Sequence, residues 1–156
     1  MHTLVAYISG HGFGHASRTI ELLREIQRRA PEVRLVVRSS IPRWLVERTA
    51  PPDLTLESLR CDTGAVQHDS LHLDVDETVR QAQTFTAELP ALAAGEADVL
   101  ARHGASVVLA DIPALGVAAA RLAGVPAVLL GNFTWTDLRR LSRRRRARRS
   151  ARPPVR

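Results

Sequence analysis

LVAYISGHGFGHASRTIELLREI, residues 4–26, is the stretch whose reading decides the fold. Residues 4–8 form an uninterrupted apolar run, which reads as a short buried strand, and Ile20, Leu23 and Ile26 then recur at helical spacing. The turn between them is therefore a strand-to-helix junction, the opening unit of an α/β sheet. In an open sheet of that kind, ligands bind in the crevice at the carboxyl ends of the strands. Gly10, Gly12 and Gly14 let the backbone of this turn approach a ligand closely, and His11, His15 and Arg18 bring two imidazoles and a guanidinium to the same place.

Working outward, four further strand-like runs follow at 33–37, 54–59, 106–110 and 127–130. Helical patterns fill the intervals at 42–49, 75–103 and 113–123, the last closed by Gly124 as a C-terminal capping glycine. In the long one Val79, Ala82, Phe85, Leu89 and Leu92 make an apolar stripe, and Pro90 is expected to kink the helix or to begin a second one. Strands alternating with helices specify a Rossmann-like parallel sheet with helices on both faces. The expected domain is 1–138. Between the third strand and the long helix, residues 60–74 have no helical period and carry Cys61, Asp62, Gly64, Gln67, His68, Asp69, His72 and Asp74, a polar loop long enough to be functional.

Charge is unevenly spread. The chain of 156 residues carries +6 overall, yet ten of its 22 basic residues lie at 139–156, where there is no acidic one. Residues 1–138 hold 12 arginines against 16 carboxylates, a net of −4, so the body is mildly acidic. The arginine-rich end, 139–156, reads as a disordered tail, either a nucleic-acid arm or a non-native end such as a shifted reading frame, with the second preferred and nucleic acid not expected as a partner. All 22 basic residues are arginine. Without lysine there is no Walker lysine, no Schiff-base lysine and no kinase strand lysine, which excludes those chemistries. A single cysteine, no leader at the start and no apolar run of about 20 residues point to a cytoplasmic chain without a membrane span.

The glycine turn fits a dinucleotide fingerprint poorly, because His15 stands where the third glycine belongs and the second strand ends in Arg38, Ser39 and Ser40 with no acid for a ribose. No dinucleotide cofactor is expected. The pairs His11/His15 and His68/His72 are each four apart, but both lie in loops and no zinc signature accompanies them, so no metal is expected either. For His68 and His72, a solvated loop and a ligand contact stand as equal alternatives.

His15 is better placed for acid–base work, since the N–H groups at a helix start favour a neutral imidazole. Asp111 ends the apolar run before it and so reaches the same sheet edge, where it either orients His15 or caps the helix opening at Pro113. Asn132 and Trp135 follow the fifth strand to that edge, as site residues or as packing.

Four blocks in order, 10–18, 62–69, 107–113 and 132–135, resemble the N-terminal domain shared by certain GT-B glycosyltransferases of the peptidoglycan UDP-N-acetylglucosamine transferase type and by the non-kinase half of plant L-arabinokinases. The resemblance runs over about 4–137. It implies an acceptor-binding domain, with His15 as general base on the acceptor hydroxyl, Asp111 as its partner, and Gly10, Gly12 and Gly14 facing donor diphosphate and acceptor. His11, Arg18, Asp62, Gln67, Asp69, Asn132 and Trp135 are the implied binding residues. A nucleotide sugar would be co-substrate, and a C-terminal donor domain, absent here, the missing partner. The chain is thus expected to be one half of an inverting transferase, inactive alone, or else a non-catalytic sugar- or nucleotide-sensing module.

Overall fold

The computed structural model describes residues 2–69 and 72–131. The boundary expected at 138, the tail, and Asn132 and Trp135 lie outside the described residues. Five strands, β1 (Thr3–Ile8), β2 (Arg34–Ser39), β3 (Thr55–Ser58), β6 (Ala105–Asp111) and β7 (Ala127–Leu130), form one parallel sheet in the order β3-β2-β1-β6-β7. All six residues of β1 are buried, as its central place and apolar run require. Side chains alternate between the faces. Leu4, Ala6 and Ile8 pack under α1 (Phe13–Arg29) and α2 (Arg43–Thr49), against Ala16, Ile20, Leu23, Leu45 and Val46. Val5 and Tyr7 face α3 (Val75–His103) and α4 (Ala114–Ala123), against Ala93, Leu100, Leu115, Ala119 and Ala120. The Rossmann-like α/β sheet covered on both faces is thus present, and Gly124 closes α4 in the left-handed conformation at φ 67°.

Two expectations need correction. Pro90 begins no second helix: α3 runs through it for 29 residues. The loss of one amide donor is outweighed there by packing of Phe85, Leu89, Leu92, Ala93 and Leu100 on the sheet. Val79, placed at the top of the same apolar stripe, is exposed, so the stripe is buried only toward its carboxyl end. The loop at 60–74 also contains a two-stranded antiparallel hairpin, β4 (Val66–Gln67) with β5 (Leu73–Asp74), which leads into α3 through an N-cap in which Asp74 accepts from the amide of Glu77. Among the described residues no helix is long and apolar enough to cross a membrane.

The face beneath α3 carries a buried polar ladder. Register places Tyr7 beside Arg38 and Arg38 beside Glu57 on adjacent strands. Tyr7 donates its hydroxyl proton to Glu96 at 2.9 Å, and Arg38 forks onto Glu96 at 2.5 and 3.0 Å and onto Glu57 at 2.7 Å. Burial first, and the Glu96 charge second, hold the Tyr7 phenol far above its ordinary value. A group whose ionisation is suppressed by folding contributes stability below its unfolded value, about pH 10, and loses it as the pH rises further. Tyr7 is the only tyrosine in the chain. Phenolate absorbance should therefore appear only together with loss of the circular dichroism of the fold. A reversible titration near pH 10 in the folded chain would contradict the buried ladder.

Candidate active site at the carboxyl edge of the sheet

The strand order reverses between β1 and β6, and the crevice over their carboxyl ends is where an open sheet of this kind receives ligands. The ends of β1 and β2 and the loop after β3 are tied together there. The carbonyl of Ile8, last residue of β1, accepts from Ser39 Oγ at 2.7 Å and from Cys61 Sγ at 3.0 Å. Burial, and Asp62 beside it, push the Cys61 thiol well above its usual range, so it is a fixture of the fold and not a nucleophile. Past Ile8 the chain enters the glycine turn. A Cβ on Gly10 would overlap the Ser40 hydroxyl, and Gly12, at φ 102°, caps α1 in a backbone conformation that favours glycine.

Asp111 ends β6 opposite Ile8 and is wholly buried. Its carboxylate accepts from Thr19 Oγ1 at 2.5 Å, from Arg18 Nη2 at 2.5 Å, and from His15 Nδ1 at 3.1 Å. Positions 15, 18 and 19 share one face of α1, so the first turns of that helix present all three donors to one acid. A carboxylate only accepts, so in the neutral imidazole the proton sits on Nδ1 and the lone pair on Nε2. The His15 side chain is 27% exposed, against 0% for Asp111. The arrangement is a partly open imidazole held in one tautomer by a buried acid whose charge Arg18 already balances. The capping alternative for Asp111 is not found: α4 begins at its N-cap, Pro113, without a side-chain hydrogen bond. Between them Ile112 adopts φ 77°, a conformation that a β-branched residue rarely takes and that is found at functional turns.

The second histidine of the turn looks the other way. His11 Nε2 lies 3.7 Å from Asp62 Oδ1, and its ring fills the space a Cβ on Gly64 would take, so the glycine turn is braced against the loop after β3. Gly14 stands in the first turn of α1 with open space at its Cβ position. Gln67 lies on β4, and Asp69 at the hairpin accepts from the amide of His72 at 2.9 Å. His68 pairs with Asp74 at 3.2 Å and His72 with Asp69 at 2.7 Å, so the two imidazoles engage different acids, all on an exposed hairpin. Sequence reading missed Thr19. Its place one helical turn after His15 is the signal that points to it.

No family model matches the chain. It is 31% identical over 132 residues, 83% of its length, to an L-arabinokinase of Arabidopsis thaliana, of which it spans only 12%. Among solved structures it superposes on the apo form of UGT2 from Phytolacca americana with a TM-score of 0.57 and 16% identity, covering 98% of this chain and 34% of that one. The same UGT2 complexed with UDP-2fluoro-glucose and pterostilbene gives 0.55 at 16% identity, covering 86% and 31%. A UGT transferase from Siraitia grosvenorii in complex with UDP gives 0.52 at 15% identity, covering 84% and 24%. The chain is thus homologous to part of L-arabinokinase and has a glycosyltransferase-like fold. It spans about a third or less of these relatives.

Proposed function

We propose that this chain is the acceptor-binding domain of an inverting, nucleotide-sugar-dependent glycosyltransferase of GT-B type, of the lineage that includes the peptidoglycan UDP-N-acetylglucosamine transferase type, acting in the cytoplasm with a donor-binding domain as partner. One observation carries this reading: His15, in the first turn of α1 at the point of strand-order reversal, is held through Nδ1 by the buried Asp111. In the reaction Nε2 of His15 takes the proton from an acceptor hydroxyl while that oxygen attacks the anomeric carbon. The bond from that carbon to the nucleoside diphosphate breaks, and the diphosphate leaves with the electron pair. Gly10, Gly12 and Gly14 let the diphosphate approach the turn, and Arg18, paired with Asp111, is assigned to binding beside it. His11, Asp62, Gln67, Asp69, Asn132 and Trp135 are assigned to binding.

The match to L-arabinokinase favours a second reading, a non-catalytic sugar- or nucleotide-sensing module. The two are separated by fusing the domain to the carboxyl-terminal half of one of the solved glycosyltransferases and assaying transfer from UDP-sugars. A folded fusion that transfers, and stops when His15 is changed, supports the transferase. Binding of a sugar or UDP-sugar by the unfused chain, together with a folded fusion that transfers to no hydroxyl, supports the sensor.

A further inference from the structure

The described part of the chain has four aromatic residues. Tyr7 is buried and Phe85 half-buried, whereas Phe13 and Trp44 are 58% and 51% exposed. The two exposed rings touch, with centroids 5.9 Å apart and planes tilted by 58°. Phe13 opens α1 and Trp44 lies in the first turn of α2, and both helices start from the carboxyl edge of the sheet. The close approach of Ser40 to Gly10 brings the two helix starts together. Two residues along a helix turn the side chain by about 200°, so Phe13 lies across the start of α1 from His15, about a helix diameter or 10 Å away.

Leu45 and Val46, next to Trp44 on the same short helix, are buried. Those two anchor the helix, and Trp44 together with Phe13 leaves a contacting pair of exposed rings at the rim of the site, open to a ligand. We propose that Phe13 and Trp44 form a stacking platform for a pyranose ring of the acceptor, one ring removed from the hydroxyl that faces His15. The proposal rests on the acceptor-domain reading and narrows it to glycosides and oligosaccharides. Both rings are more than half exposed, which suits a ligand that is itself wet on one side. A pyranose lays its C–H face on an aromatic ring and leaves its hydroxyls wet. Ser40, close against Gly10, and the exposed Arg43–Glu47 pair at 2.9 Å on the helix of Trp44 offer hydrogen bonds nearby.

The test is saturation-transfer NMR on the 156-residue chain, irradiating protein aromatic protons in the presence of cellobiose, maltose or lactose. At least one disaccharide should receive saturation on the C–H protons of one ring. Trp44→Ala and Phe13→Ala should each weaken that binding about tenfold with circular dichroism unchanged, and Trp44→Phe should restore most of it. Absence of transfer to all three sugars, or equal transfer in both alanine variants, overturns the platform. So does a dimer that Trp44→Ala dissolves while no sugar binds. The outcome is independent of the chemistry. Sugar binding that needs Trp44, in a domain whose fusion transfers nothing, keeps the platform and removes the transferase. An active fusion whose acceptor KM ignores Trp44→Ala keeps the transferase and removes the platform.

Discussion

His15→Ala in an active fusion is expected to lower kcat about a hundredfold while leaving donor affinity nearly unchanged. A positioned general base contributes at this level, and the donor is held mainly by the other domain in the proposed arrangement. The geometry refines what should happen at its partner. Arg18 and His15 approach the same oxygen of Asp111, at 2.5 and 3.1 Å, so the carboxylate is largely neutralised by the guanidinium and acts on the imidazole by orientation. Asp111→Asn, which keeps one acceptor oxygen for Nδ1–H, should therefore lower kcat by less than His15→Ala does. The double variant should be no slower than His15→Ala alone, since the acid has nothing left to orient. Steady-state kinetics on the three fusions decide it. Near-normal turnover in His15→Ala makes the imidazole a packing or binding group, and additive losses make Asp111 an independent contributor.

The central part of this site was legible because it obeys simple periodicities. An apolar run that ends in an acid places the acid at a strand terminus, and Asp111 is the last residue of β6. A glycine-rich turn followed by Ile20 and Leu23 at helical spacing places His15 in the first turn of α1. What sequence periodicity does not carry is the identity of long-range partners. That Arg18 and Thr19 would share Asp111 with His15 depends on how α1 leans over the β1–β6 seam, which is set by the burial of Ala16, Ile20 and Leu23. The β4–β5 hairpin has two residues per strand, too few for any alternation to show. Pro90 misled for the opposite reason. Its local rule is sound, but α3 is fixed to the sheet by Leu89, Leu92, Ala93 and Leu100 on either side of it, and packing prevails over propensity. Trp44 stood in a short, unremarkable helix, and only its meeting with Phe13 gives it a meaning.

Asp111→Ala is expected to destabilise the folded chain by about 3 kcal/mol, a large share of the roughly 5–15 kcal/mol that holds a domain of this size together. The carboxylate is fully buried and takes three donors, and among the described residues every buried side-chain nitrogen or oxygen has a hydrogen-bond partner. Removing it strands the buried Thr19 hydroxyl and takes the Asp111 counter-charge from the Arg18 guanidinium. Because the Arg18 side chain is 29% exposed, water recovers part of that loss, which places the effect at the low end for a broken buried pair. Asp111→Asn keeps one acceptor oxygen, on the side of His15 and Arg18, and its amide group can donate to the Thr19 hydroxyl in place of accepting from it, so about half the loss is expected. His15→Ala, which leaves the Arg18 and Thr19 bonds in place, should cost about 1 kcal/mol or less. Urea denaturation with an unchanged slope measures all three. If the loss in Asp111→Ala is within about 1 kcal/mol, the acid is not the anchor of α1 that its contacts describe. The ordering also governs how the kinetic variants are read. Asp111→Ala changes the fold and the turnover together, so His15→Ala and, less cleanly, Asp111→Asn, which lose less stability, are the variants that separate the chemistry of the imidazole from the fold that positions it.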